Sequence, residues 1–75
     1  MPTHEKIAKQ RMRVGLTMAD FATRLRTIDP ALFKGFSIAT ISRIESGKRS
    51  VKTTELIGLA LALKCRVADL VDEAD

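Results

Sequence analysis

Ile41-Ser42-Arg43-Ile44-Glu45-Ser46-Gly47-Lys48-Arg49 is the stretch on which the reading of this chain turns. Ile38, Ile41 and Ile44 recur at three-residue spacing, which predicts a short helix with one apolar side, capped by Ser37 and stopped at Ser46-Gly47. Glu45 falls four residues after Ile41 and beside Ile44, so a carboxylate lies at the edge of that side. Upstream, His4 to Val14 reads as a helix with Thr3 as cap and Gly15 as end, and Ile7, Ala8, Arg11, Met12 and Val14 share one face. Arg11 is thus a cation on an inward stripe. An Arg–carboxylate pair with two parallel hydrogen bonds satisfies both groups, so Arg11 and Glu45 are expected to meet; the alternative is that both turn to solvent.

Outward from these two segments the punctuation is helical throughout. Thr17-Met18-Ala19-Asp20 is an N-terminal capping pattern, and Met18, Phe21, Ala22 and Leu25 form the stripe of a second helix. A longer connection follows from about Thr27 to Phe36, with Asp29-Pro30 as a turn and Gly35 as a flexible point, yet it holds four large apolar residues, Ile28, Leu32, Phe33 and Phe36. Four are too many for an exposed loop in a chain this small, so at least two should pack against the second helix or a dimer partner, the alternative being a mobile loop. Val51 and Leu56 suit a hydrophobic staple leading into a fourth helix from Thr53 to Leu63, whose nearly continuous apolar content predicts a central buried helix. A last short helix is expected over Val67 to Glu73. No segment alternates with period two for long enough to be a strand, so the expected fold is all-α, a single five-helix domain spanning residues 1–75.

Composition narrows the function. Seventy-five residues leave no room for a separate catalytic lobe, and a domain of this size buries only about 60 % of its unfolded surface, so association with a second copy would help. The longest apolar run, Leu56 to Leu63, is far short of the roughly 20 residues of a membrane helix, and the first residues lack the apolar core of a signal peptide; the expectation is a soluble, cytoplasmic protein. Cys65 is alone and only His4 accompanies it, which leaves neither a disulfide nor a Cys/His zinc set. Residues 1–52 carry a balance of +7, and residues 53–75 one of −3. A basic majority points to a polyanion, nucleic acid foremost, against the plainer reading of a solvated surface. Gly47-Lys48 fails as a nucleotide-binding loop, because Ser42 stands where the first glycine is needed and Arg49 where Ser or Thr is needed. His4 reads as a surface residue at a helix start and Cys65 as a small buried hydrophobe. No enzymatic activity and no cofactor are indicated. With three Phe and neither Tyr nor Trp, single-stranded nucleic acid is a poorer fit than duplex DNA.

Arg11, Gly15-Leu16-Thr17, Phe21-Ala22, the run from Ile41 to Arg49 and Leu59-Ala60-Leu61-Ala62-Leu63 together resemble the phage repressor and Cro family of helix-turn-helix proteins, the xenobiotic-response-element type. The likeness covers about residues 5 to 71. It implies a lambda-repressor-like fold of five helices, a motif over about residues 17–46, a buried pair at Arg11 and Glu45, sequence-specific binding of double-stranded DNA and a homodimer on a palindromic site. Carried over by position, the residues that face bases are Ser37, Ile38, Ala39, Ser42 and Arg43. Those near phosphates are Thr17, Thr40, Lys48, Arg49, Ser50 and Lys52. The chain departs from the family at Met18 and Ile38, where Gln is common, and at Lys64, where glycine usually follows the fourth helix. It departs most in the connection between the motif helices, where 12 residues separate Leu25 from Ile38 in place of about three, with an insert at about 27–36.

Within that frame Arg43 is the long donor able to bridge guanine O6 and N7, its alternative being a phosphate contact alone, while Ile38, Ala39 and Thr40 offer methyl groups to thymine. Lys48, Arg49 and Lys52 would grip the backbone without reading sequence. The favoured reading is a transcriptional regulator, a repressor by preference. The competing one is an antitoxin or antirepressor-like module whose apolar insert, residues 28–36, binds a protein partner.

Overall fold

The computed structural model describes residues 1–71; residues 72–75, and with them the end of the expected fifth helix, lie outside the described residues. Four α-helices run in order, α1 Thr3–Arg13, α2 Met18–Ile28, α3 Ile38–Glu45 and α4 Thr53–Ala62, and a 3-10 turn occupies Val67–Asp69. Among the described residues there is no strand. The all-α class holds, with the fifth helix replaced in the described part by that single turn. The turn nonetheless docks, because Leu70 is fully buried.

Local chemistry sets the boundaries. Thr17 Oγ1 accepts a hydrogen bond from the Asp20 amide at 3.0 Å and starts α2 as its pattern predicts. Ser37 and Thr40 form a reciprocal box at the start of α3, the Thr40 amide donating to Ser37 Oγ at 3.4 Å and the Ser37 amide to Thr40 Oγ1 at 3.2 Å. The expected Thr3 cap is absent. Pro2 holds that position instead, its carbonyl accepting from the amides of Glu5 and Lys6. Gly15 and Gly47 have φ of 80° and 81°, the left-handed conformation that lets the chain leave α1 and α3 abruptly.

One core gathers Ile7 from α1, Phe21, Ala22 and Leu25 from α2, Ile41 and Ile44 from α3, Leu59, Ala60 and Ala62 from α4, and Leu63 and Leu70 beyond it. Phe33 and Phe36 of the connection complete it, so the insert packs through two of its four large apolar residues. Ile28 and Leu32 stay on the surface. Two expectations about apolar faces fail. Met12 is exposed, because the buried contacts of α1 centre on Ile7 and leave its last turn on the rim. In α4, Ile57 and Leu61 are 60 % and 62 % exposed, since α2 and the insert cover only one side of a helix whose sequence is apolar all round.

The connection between α2 and α3, residues 29–37, is itself structured. Leu32 donates its amide to Asp29 Oδ1 at 3.1 Å, the Phe33 amide donates to the Asp29 carbonyl at 3.0 Å, and the Arg26 guanidinium donates to the Phe36 carbonyl. Phe33 and Phe36 meet edge to face with centroids 4.8 Å apart.

Candidate nucleic-acid interface

α3 presents its two sides to different environments. Ile41 and Ile44 are buried, so the positions between them point outward, and Ser37, Ile38, Ala39, Ser42 and Arg43 all lie exposed along one continuous row. That row is three residues deep at the N-terminal turn, where free backbone amides also face outward. Arg43 makes no side-chain hydrogen bond or ion pair among the described residues. Ile38 is 55 % exposed, an apolar side chain at the leading end of the row.

The orientation of α3 is fixed at its other end. Arg11 Nε donates to Glu45 Oε2 at 2.7 Å and Nη2 to Oε1 at 3.1 Å, a two-point pair between α1 and α3, while Nη1 donates to the Leu16 carbonyl at 2.7 Å. The inward cation and the edge carboxylate therefore meet, and the guanidinium's third edge holds the turn into α2. Glu45 has a side chain only 7 % exposed, so the pair is a fixed member of the core rim.

The candidates for phosphate contact divide into two groups. Lys48, Ser50 and Lys52 are exposed in the loop after α3, and Thr17 is exposed at the start of α2, its Oγ1 accepting from the Asp20 amide and its hydroxyl proton left to donate. Thr40 and Arg49 are already engaged. Thr40 Oγ1 serves the cap of α3 and also donates to the Gly35 carbonyl at 3.3 Å. Arg49 does not stand free with its neighbours as expected: Nη1 and Nη2 donate to Glu55 Oε1 and Oε2 at 3.2 and 3.1 Å, and its guanidinium carbon lies 4.9 Å over the Phe36 ring. The physical reason is Glu55, a buried carboxylate in the first turn of α4 that needs a cation.

Glu55 is the residue that sequence reading passed over. Burial pushes its carboxyl up, but hydrogen bonds from Arg49 and from the Lys52 amide at 2.9 Å outweigh this and hold it below its ordinary value. Its signal was in the sequence as a Glu three residues after the cap position Lys52. His4 is likewise more than a surface residue, since a Cβ on Gly47 would stand 3.2 Å from its ring, so His4 packs over the chain reversal at the end of α3. Cys65 is half-buried, and burial pushes its thiol up, away from nucleophilic use.

Among the described residues no group of three or more His, Cys, Asp or Glu side chains converges as a metal site would require, and no helix is long and apolar enough to cross a membrane. The profile of a protein family described as "Helix-turn-helix domain" matches residues 5–74. No curated protein and no solved structure gives a significant match.

Proposed function

We propose that this chain, which belongs to the helix-turn-helix domain family, is a sequence-specific regulator of transcription that binds double-stranded DNA as a homodimer and inserts α3 into the major groove. The observation that carries the reading is the outward row on α3, free of internal bonds at Arg43 and set at a fixed angle by Arg11 and Glu45. A helix that is to read bases must be held rigidly by residues that do not themselves touch the bases. In this assignment Ser37, Ile38, Ala39, Ser42 and Arg43 face base edges. Ser37 does so as the cap of α3, offering its remaining hydroxyl capacity.

Lys48, Lys52, Ser50 and Thr17 are the phosphate contacts of the proposal. Thr40 and Arg49 support them, Thr40 by fixing the start of α3 and Arg49 by fixing the loop against α4. The whole chain acts as one domain in this reading, in the cytoplasm, with repression as its mode and no reaction to catalyse. The second reading, a docking module for a protein partner at residues 28–36, has one observation in its favour, the exposure of Ile28 and Leu32.

The test is selection of bound sequences from random duplexes, followed by a salt titration on the selected site. The expected result is one enriched sequence with two-fold symmetry and an affinity that falls steeply with salt. Recovery of no preferred sequence, or binding indifferent to salt, would remove the proposal.

A further inference from the structure

Four of the eight exposed large apolar side chains among the described residues line one groove. They are Ile28 and Leu32 from the end of α2 and the insert, and Ile57 and Leu61 from α4. Asp29, Thr54, Gly58 and the edge of Phe33 complete the lining, which holds one acid and no base on a chain of net charge +4. Single exposed apolar residues are ordinary, but a contiguous set placed by a packed scaffold marks an interaction surface. The scaffold here is rigid: Phe33 seats the insert on Gly58, which brings Leu32 beside the Ile57–Leu61 ridge.

We propose that this groove is the surface through which two copies of the chain associate, with their α4 helices crossing antiparallel about a two-fold axis. The inference takes the homodimer from the reading above and gives it a place. The rim supplies the argument for a second copy. Arg24 donates to the carbonyl of Ala62 at 3.2 Å, so it marks the C-terminal end of α4, whereas Asp29 and Thr54 flank the groove at the N-terminal end. A two-fold axis through the middle of the groove exchanges these ends and lays Arg24 of each copy over Asp29 of the other. In this arrangement the two copies appose an apolar strip flanked by two opposite pairs.

Sedimentation equilibrium of the full chain without DNA tests this. Ile57→Lys and Leu61→Lys should each weaken the dimer at least about tenfold, while the thermal midpoint measured at concentrations dilute enough for the wild type to be monomeric stays unchanged, because both side chains are exposed in the single chain. Arg24→Glu and Asp29→Arg, each shown folded by circular dichroism, should each dimerise poorly alone and recover on mixing, since the mixed dimer restores both opposite pairs. Mixing that recovers nothing, dimers untouched by Ile57→Lys, or a wild-type chain still monomeric at about 1 mM would overturn the proposal, the last leaving the groove to a different protein. Duplex binding is read separately. Monomeric variants should keep their sequence preference on a half-site; a dimer lost in the variants with no preferred duplex for the wild type would sink the DNA reading and leave the interface standing.

Discussion

The ring of Phe33 fills the space that a Cβ on Gly58 would occupy, with Cε2 and Cζ 2.5 Å from that position. Helix α4 therefore carries glycine at its centre so that the insert can close on it, and the insert carries Phe33 so that the long path from α2 to α3 has a fixed course. Two effects compete in Gly58→Ala. Alanine gains about 1 kcal/mol of helix propensity, whereas forcing a methyl into a buried ring costs about 1 to 3 kcal/mol. Phe33 is fully buried and cannot swing out cheaply, so overpacking should win. Chemical denaturation should show Gly58→Ala to be less stable than wild type; equal or greater stability would mean that the insert is not seated on α4.

Arg49 and Glu55 yield a prediction that differs from the one suggested by a basic loop. Arg49→Ala leaves a buried carboxylate without its cation, so the main effect should be a loss of stability of roughly 1 to 3 kcal/mol, read from the unfolding midpoint. Glu55 titrates lower in the folded chain than in the unfolded one. Its contribution is complete above the ordinary carboxylate range and drains away as pH falls through the lowered folded value. Stability measured from neutral pH downward should accordingly drop in acid, and Glu55→Gln should flatten that drop.

Lys64 follows α4 with φ of 54°, and the Cys65 amide donates back to the Ala60 carbonyl at 3.0 Å to close the helix end. Only glycine takes this conformation without steric cost. Lys64→Gly should raise stability by about 0.5 to 1 kcal/mol, net of the entropy glycine adds to the unfolded chain. A thermal midpoint that stays level or falls would show that the lysine's own contacts outweigh the strain.

Much of this architecture was legible because local rules acted alone. The caps at Thr17 and Ser37, the stripe Met18, Phe21, Ala22 and Leu25, and the pairing of Arg11 with Glu45 each follow from spacing plus the cost of an unpaired charge. The failures arise where a third element decides. Nothing in Leu56 to Leu63 says which side α2 and the insert will cover, so Ile57 and Leu61 looked like core. Arg49 looked like one of three loop cations because Glu55 is recruited across a turn, with Phe36 of the insert beneath it. The candidate readout row came from the family resemblance, whereas three-residue spacing alone set Ile38 on the apolar side with Ile41 and Ile44, and the structure leaves it exposed because the core reaches only the later turns of α3; the division of the basic loop into free and engaged side chains was not legible either.

That division sharpens the last prediction, which separates reading from gripping. Arg43 stands on the outward row of α3 without an internal partner, and Lys48 is exposed just beyond the helix end, whereas Arg49 is held by Glu55. In the proposed complex Arg43→Ala should weaken the preferred duplex by roughly 1 to 3 kcal/mol and relax discrimination at one base pair in each half-site. Lys48→Ala should weaken all duplexes about equally and lower the salt slope by about one per subunit. Because Arg49 is held by Glu55, the proposal gives this second role to Lys48, so Arg49→Ala, once corrected for the fraction folded, should leave the slope nearly unchanged. The measurement is affinity for the selected site and for its single-base variants at several salt concentrations. Identical sequence profiles and identical slopes for Arg43→Ala and Lys48→Ala would mean that the connection at residues 29–37 aims α3 differently from a helix lying in the groove, and the assignment of base-reading residues would fall with it.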